Sequence, residues 1–274
     1  MIQHVRSRSI ALFFVVCAAT AARAQSERAQ PLVIGETFLI HSAILSEDRR
    51  INVYAPAAYT ASPTVRLPVL YMPDGGIAED FLHIAGLVQV LTGNGTMRPF
   101  LLVGIENTER RRDMTGPTEE AEDRKIAVRV GGSAAFRRFL RDELLPEVEK
   151  RYRTTNERAI IGESLAGLFV VETLLVEPEL FDTFIAFDPS LWWNKERLVA
   201  GAAKRRTDML ASKSVFIATS SEGSIAATRR LTKALQSKTR RWFHEPMPAE
   251  RHATIYHPAA LRALRLLFPP DAKP

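Results

Sequence analysis

One serine of this chain stands between small residues at a point where an apolar strand runs directly into an apolar helix. The segment is Gly162-Glu163-Ser164-Leu165-Ala166-Gly167; a β-branched run precedes it, and apolar residues with helical spacing follow it through Val176. A strand that turns abruptly into a helix holds its turn residue in a strained conformation, and the residues two positions away must be small. Gly162 and Ala166 satisfy this requirement. A serine that only caps a helix would not need them, so we interpret Ser164 as a nucleophile.

Residues 1–24 have the three regions of a secretory signal peptide. A basic start precedes the apolar residues 10–22, and small residues form a cleavage site that ends at Ala24. The apolar stretch is shorter than the about 20 residues that a membrane-spanning helix needs, and no later segment qualifies. The only cysteine, Cys17, lies in this leader. We therefore expect cleavage after Ala24, a periplasmic or secreted protein without a membrane span, and a single domain formed by residues 25–274.

The charge distribution does not indicate a nucleic-acid partner. The formal net charge is +6, and three of the arginines that produce it lie in the predicted leader. Arginine clusters elsewhere alternate with acidic residues on predicted helix faces, which is typical of a solvated surface. A mildly basic surface can still attract an anionic small molecule.

Apolar strands alternate with helical stretches along the rest of the chain. A hairpin is predicted at 38–45 and 50–54, and further strands at 68–72, 100–105, 158–163, 183–187, 214–219 and 240–244. Helical spacing predicts helices at 78–91, 133–151, 165–176, 195–210, 224–236 and 258–268. This order predicts an α/β fold with a mostly parallel central sheet, an antiparallel N-terminal hairpin and helices on both faces. Active sites of such sheets lie at the carboxyl ends of the strands.

His252 is the histidine that chain order places beside Ser164. It lies in the loop between the last strand and the last helix, where the order serine, acid, histidine puts the base. An idle loop histidine is the alternative. The remaining histidines downstream of the leader lie within or at the start of predicted strands and helices: His41, His83, His244 and His257.

The base needs a carboxylate that holds its imidazole in the correct tautomer. Glu222 follows the penultimate strand and precedes His252 in the chain, so we predict Glu222 as this acid. Asp188, at the end of strand 183–187, is the rival, and either residue could instead be a helix cap or a turn residue.

An oxyanion hole needs two backbone N–H groups near the nucleophile. The N–H of Leu165 lies at a helix N-terminus and is the first predicted donor. Gly75 and Gly76 follow strand 68–72, and glycines let the backbone approach a developing negative charge. We predict the second donor there, with a tight turn into the next helix as the alternative.

Six blocks of the chain, in order, resemble the Putative esterase family of α/β-hydrolases: residues 67–75, 107–115, 138–146, 162–168, 188–194 and 251–254. This family includes bacterial esterases that open siderophore trilactones, and relatives that act on thioesters and feruloyl esters. The resemblance runs from about residue 33 to about residue 268. It implies the α/β-hydrolase fold, with Ser164 as nucleophile and His252 as base.

The resemblance also implies a substrate-binding loop around Arg110, Arg112 and Asp113, and a pocket wall formed by Trp192 and Trp193. Forked guanidinium donors and flat indole faces suit a bulky, anionic, aromatic acyl group. The loop, residues 107–132, follows a strand and should lie over the carboxyl edge of the sheet. The alternative is that these arginines pair with acidic neighbours and hold the loop closed: Asp113, Glu119 or Glu120.

Three positions depart from the family pattern. Glu163, Ala166 and Asp188 stand where histidine, glycine and serine are common. Because some members work with a serine-histidine pair, Glu222 is the acid most open to revision. Asp188 at the mouth of the site is either a second acid or a group that binds substrate and disfavours anions.

Taken together, the patterns predict an exported serine hydrolase that acts on a small-molecule ester through an acyl-enzyme on Ser164. A siderophore ester is the sharpest candidate substrate, and we expect neither a metal nor a cofactor. Two alternatives stay open: an acyltransferase of the same fold and a non-catalytic ligand-binding protein. No oligomeric state is predicted.

Overall fold

Eight strands form one sheet within residues 29–204 and 208–270, the part of the chain that this computed structural model describes. The predicted signal peptide lies outside the described residues, and its cleavage stays a prediction, as does the domain boundary at residue 25. The strands are β1 (Glu36–Ser42), β2 (Glu47–Tyr54), β3 (Leu67–Pro73), β4 (Leu101–Ile105), β5 (Thr154–Glu163), β6 (Thr183–Phe187), β7 (Ser214–Ser220) and β8 (Arg241–Met247).

Helices connect the strands. They are α1 (Ala57–Ala61), α2 (Phe81–Gly93), α3 (Arg110–Asp113), α4 (Ala121–Arg124), α5 (Ser133–Phe139), α6 (Leu145–Arg151), α7 (Ser164–Val176), α8 (Trp193–Gly201), α9 (Ile225–Leu235) and α10 (Tyr256–Leu267). In the described part of the chain, no helix has the length and apolar character to cross a membrane.

The strand order is β1-β2-β4-β3-β5-β6-β7-β8. The pairs β1/β2 and β2/β4 are antiparallel, and the other neighbours are parallel. Parallel neighbours need crossover connections, and the alternating helices supply them. The predicted fold, a mostly parallel sheet with an antiparallel N-terminal hairpin, is therefore confirmed.

Both faces of the central strands are buried. In β3, Val69 and Tyr71 belong to one apolar cluster, whereas Leu70 and Met72 belong to a second cluster on the opposite face. This alternation follows from the two-residue period of a strand. It explains why β3 reads as an unbroken apolar run in the sequence, as strands covered by helices on both sides do.

The first hairpin differs from its prediction. Its turn covers residues 43–46 and not 46–49, because β2 already begins at Glu47. The hydroxyl of Ser42 accepts a hydrogen bond from the Leu45 N–H at 3.0 Å, and Ser46 has a φ of 55°. The charged residues that look like a polar turn are instead strand residues whose side chains have long-range partners.

Two helical regions also differ from their predictions. The predicted helix 133–151 is continuous but contains a π-helical segment, Leu140–Leu144, between α5 and α6. The predicted helix 195–210 ends at Gly201 and is followed by short 3₁₀ turns at Ala202–Lys204 and Asp208–Leu210; residues 205–207 lie outside the described residues. The loop 107–132, predicted without regular structure, contains the single-turn helices α3 and α4.

Candidate active site

Ser164 lies at the tip of the turn between β5 and α7. Its φ is 58°, in the left-handed region that non-glycine residues rarely occupy. A Cβ on Gly162 would lie 2.8 Å from the Cβ of Ala166, and one on Gly167 would lie 3.1 Å from the Phe187 oxygen. At Gly162 the chain crosses itself too closely for a side chain, and at Gly167 a Cβ would fit only if its neighbours moved by a few tenths of an ångström. The small residues of the motif therefore have the steric role that the sequence predicts.

Asp188 and His252 form a carboxylate-imidazole pair beside this turn. The Nδ1 atom of His252 lies 3.2 Å from Oδ2 of Asp188. The Asp188 side chain is fully buried, whereas the His252 side chain is 44% exposed. A ring whose Nδ1 faces a buried carboxylate has Nε2 available for proton transfer.

The Asp188 carboxylate is held by β7 and the loop that follows it. Its Oδ1 accepts a hydrogen bond from the Ser220 N–H at 2.6 Å, and its Oδ2 accepts one from the Ser220 hydroxyl. A Cβ on Gly223 would lie 2.2 Å from Oδ1, so only glycine leaves room for this carboxylate. Asp188 itself has a φ of 39°. Such backbone strain is common where a functional side chain is held in one orientation.

The pair shifts the pKa of both groups. The hydrogen bond that His252 donates to Asp188 raises the pKa of His252, while burial opposes this shift and the nearby charge of Glu163 adds to it. Burial raises the pKa of Asp188, but hydrogen bonds from His252 and Ser220 outweigh burial and lower the pKa overall. Each partner therefore stabilises the charged form of the other.

Glu222 has a different contact from the one that chain order predicted. Its Oε2 accepts a hydrogen bond from the backbone N–H of His252 at 3.0 Å, and the ring nitrogen Nδ1 faces Asp188. The prediction of Glu222 as the orienting acid is therefore corrected in favour of Asp188. The physical reason is topological. β6 and β7 are neighbouring strands, so the carboxylates that follow both of them reach the His252 loop, but only Asp188 contacts the imidazole nitrogen Nδ1.

The predicted glycine donors of the oxyanion hole both have acceptors already. The Gly75 N–H donates to the Ile105 oxygen at 3.0 Å, and the Gly76 N–H donates to Oε2 of Glu79 at 2.6 Å. Neither amide is free to bind an oxyanion, so this assignment is wrong for the geometry observed. Leu165 lies in the first turn of α7, where N–H groups have no acceptor within the helix.

Two serines near the site were missed by the sequence analysis. The hydroxyls of Ser164 and Ser190 lie 3.5 Å apart, and the Ser190 N–H donates to the Ser164 oxygen at 3.0 Å. Ser220 holds Asp188 as described above. Ser190 follows β6 and Ser220 is the last residue of β7, so both lie at the carboxyl edge where β5 also ends, and that position is the signal that could have identified them.

The arginines of the predicted binding loop are paired with carboxylates. Arg110 donates to both carboxylate oxygens of Asp74, at 2.7 and 2.8 Å. Arg112 donates to Glu47 at 2.7 Å and to Asp113 at 2.6 Å. The geometry supports the alternative in which these arginines hold the loop closed, although Asp74 and Glu47 take the places expected of Glu119 and Glu120.

Asp113 is a buried anchor of this loop. The Arg49 guanidinium, with no exposed surface, donates to Asp113 at 2.6 Å and stacks over Phe136 at 5.2 Å from the ring centroid. Asp113 is itself fully buried. A substrate cannot reach a carboxylate in this position, so the predicted binding role of Asp113 is corrected to a structural one.

We expect Asp113→Asn to lower the free energy of unfolding by about 3 kcal/mol, because it leaves the buried Arg49 without its closest counter-ion. Urea unfolding followed by circular dichroism measures this loss. Glu119→Gln is the matched control, since the Glu119–Arg197 pair is exposed and should contribute little. Equal unfolding midpoints for the two variants would show that the Arg49–Asp113 pair does not stabilise the fold.

The two tryptophans have different environments. Trp193 is buried, donates from Nε1 to the Gly116 oxygen at 2.9 Å, and lines a cavity of about 170 Å³ together with Leu168. Trp192 is 46% exposed. Only Trp193 thus lines this cavity, and it also fixes the loop to α8. Within the described residues, no group of three His, Cys, Asp or Glu side chains converges as a metal site.

The chain is similar to a family of esterases in sequence and to a serine hydrolase in structure. The sequence profile of a family described as Putative esterase matches residues 42–252. Ferri-bacillibactin esterase BesA of Bacillus subtilis is 34% identical over 167 residues, which are 55% of this chain and 57% of that protein. A siderophore triacetylfusarinine C esterase of Aspergillus fumigatus is 30% identical over 176 residues, or 60% of this chain and 58% of that protein.

The chain therefore matches a little over half the length of these curated relatives. Among solved structures, an IroE-like serine hydrolase from Shewanella oneidensis superposes with a TM-score of 0.72 and 26% identity. The superposition covers 85% of this chain and 80% of that one. These similarities agree with the α/β-hydrolase arrangement of the sheet.

Proposed function

The chain belongs to the Putative esterase family, and on this premise we propose that it is a serine esterase that forms an acyl-enzyme on Ser164. The observation that carries the proposal is the buried Asp188 carboxylate, 3.2 Å from Nδ1 of His252, beside a serine with a φ of 58°. A strained serine and an imidazole oriented by a carboxylate, both at the carboxyl edge of one sheet, are the groups that acyl transfer needs.

The reaction follows from the roles of these groups. The Ser164 hydroxyl attacks the ester carbonyl, and its proton passes to Nε2 of His252 while Asp188 stabilises the imidazolium. The Leu165 N–H stabilises the oxyanion. Collapse of the tetrahedral intermediate breaks the bond to the alcohol, which takes the proton from His252. A water molecule, deprotonated by the same imidazole, then attacks the acyl-enzyme and releases the acid and the free serine.

Hydrolysis is favoured over transfer to another alcohol. The His252 side chain is 44% exposed, so water has direct access to the base. An acyltransferase would need a site that excludes water from the acyl-enzyme.

The substrate class that we propose is a siderophore-type ester. The support is that the two curated relatives compared above are named as siderophore esterases, acting on ferri-bacillibactin and on triacetylfusarinine C. We further propose that the protein acts outside the cytoplasm, which rests on the leader pattern in residues 1–24. A bulky substrate would enter from the carboxyl edge of the sheet.

A panel of substrates tests this function. p-Nitrophenyl esters of increasing acyl length and a ferric siderophore triester are incubated with the protein and with Ser164→Ala. We expect a burst of p-nitrophenol followed by steady turnover, and release of the hydrolysed siderophore units by the wild-type protein alone. Absence of turnover on every ester, by a folded protein, would refute the proposed function.

The pH dependence of kcat/KM should follow the base. Because only neutral His252 accepts the serine proton, activity is lost as the pH falls through the pKa of His252, which Asp188 holds above the usual 6.5. We expect an acidic limb with its midpoint above pH 6.5, and a lower midpoint in the residual activity of Asp188→Asn. A wild-type midpoint at or below 6.5 would contradict the pairing.

A further inference from the structure

Glu163, the residue directly before the proposed nucleophile, has one carboxyl oxygen without a hydrogen-bond donor among the described residues. Its Oε1 is closed off from solvent and has no hydrogen-bond partner among the described residues, although the residue as a whole keeps partial exposure. An acidic group in such a place lowers stability, because burial without a partner disfavours its charged form. This unfavourable position next to Ser164 calls for a functional explanation.

The surroundings of Glu163 carry an excess of negative charge. Burial raises its pKa to about 7, His252 opposes this shift, and three further carboxylates add to it: Asp80, Asp188 and Asp74. The hydroxyl of Tyr256, on α10, is also buried without a hydrogen-bond partner among the described residues, and its pKa is raised by burial and then by Asp80, Asp74 and Glu163.

The two arginines of the loop 107–132 that were predicted to bind substrate do not balance these charges. Arg110 interacts electrostatically with Glu163, but both carboxylate oxygens of Asp74 already bind its guanidinium. Arg112 is likewise held by Glu47 and Asp113. His252 is the remaining partner, and it is neutral when it acts as the base.

Resting on the proposed function, we propose that Glu163 determines which siderophore-type esters are accepted, by selecting those with a cationic or neutral acyl group over those with an anionic one. Two observations carry this inference independently: the unsatisfied carboxyl beside the nucleophile, and the neutralisation of both loop arginines by acidic partners. A positive group near the scissile bond compensates the Glu163 charge. A negative group adds a like charge in a site where screening by water is reduced.

This charge preference is the opposite of the one that the loop sequence predicted. Arg110 and Arg112 suggested an anionic aromatic acyl group, but that reasoning treated their guanidinium groups as free. Acidic partners neutralise both guanidinium groups. The carboxylates therefore dominate the electrostatic environment of an acyl group next to Ser164.

Three p-nitrophenyl esters of matched acyl length test the proposal: the butyrate, the 4-trimethylammonio-butyrate and the succinate half-ester. At pH 8 and low ionic strength we expect kcat/KM to fall from the cationic to the neutral to the anionic ester, with about tenfold or more between the extremes. Glu163→Gln should lower the ratio of kcat/KM for the cationic ester to kcat/KM for the anionic ester to about one third of its wild-type value or below. Glu147→Gln is the control, because it removes the same charge from α6, where Glu147 pairs with Arg151.

The wild-type protein supplies a second test that needs no variant. As the pH falls through about 7, Glu163 takes up a proton, so the ratio of cationic to anionic turnover should shrink. Because protonation of His252 slows the cationic and the anionic ester alike, this ratio is independent of it. A wild-type preference for the anionic ester, or an unchanged ratio in Glu163→Gln, would overturn the inference while leaving the esterase proposal intact. Failure of all three esters would instead refute the esterase proposal itself.

Discussion

Ser164→Ala and His252→Ala should each lower kcat for ester hydrolysis by about 10⁴–10⁶-fold, and the double variant should lose little more. Nucleophile and base act as one unit, so removing either abolishes the same step. Steady-state kinetics with p-nitrophenyl butyrate, on variants whose folding is checked by circular dichroism, measures the effect.

Ser190→Ala is the matched control for this experiment. Its hydroxyl lies 3.5 Å from that of Ser164, so it shares the same surroundings without the strained turn. We expect Ser190→Ala to retain most of the activity. If Ser164→Ala kept a tenth of the wild-type kcat, Ser164 would not be the nucleophile.

Asp188→Asn should lower kcat by about 10²–10⁴-fold, whereas Glu222→Gln should cost less than tenfold. An amide in place of the Asp188 carboxylate favours the wrong imidazole tautomer and no longer stabilises the imidazolium. Glu222 binds only the backbone N–H of His252, and a glutamine oxygen can accept that hydrogen bond. The comparison is made with the same ester and at the pH of maximal activity.

The ranking of these two variants distinguishes three arrangements of the site. A larger loss for Glu222→Gln would return the role of the acid to Glu222. Small and equal losses would indicate a serine-histidine pair that works without a strong acid. Only the predicted ranking agrees with the hydrogen bonds that Ser220 makes to Asp188.

Local patterns were sufficient to predict the elements that position the nucleophile. Gly162 and Ala166 indicated the turn at Ser164, because a close crossing of the chain imposes a steric requirement that sequence spacing displays directly. The alternation of apolar strands and helices likewise predicted the sheet with its antiparallel hairpin. The turn and the individual strands and helices are each determined by residues near one another in the chain.

The partners of the site could not be predicted in the same way, since they are set by contacts between distant segments. Arg112 pairs with Glu47, the first residue of β2, which is 65 residues away in the sequence. Asp188 and Glu222 both follow strands that end beside His252, and chain order alone does not decide which carboxylate contacts Nδ1 of its imidazole. Gly75 is required because a Cβ there would lie 2.2 Å from the Ile105 nitrogen, a constraint that has nothing to do with an oxyanion.

The proposed mechanism depends most directly on covalent chemistry at Ser164. The protein is treated with a fluorophosphonate probe, digested and analysed by mass spectrometry, with His252→Ala and Ser190→Ala run in parallel. We predict one labelled peptide, modified at Ser164, in the wild type and in Ser190→Ala, and a labelling rate reduced by orders of magnitude in His252→Ala. Modification of another residue, or no modification of the folded wild-type protein, would contradict a mechanism through an acyl-enzyme on Ser164.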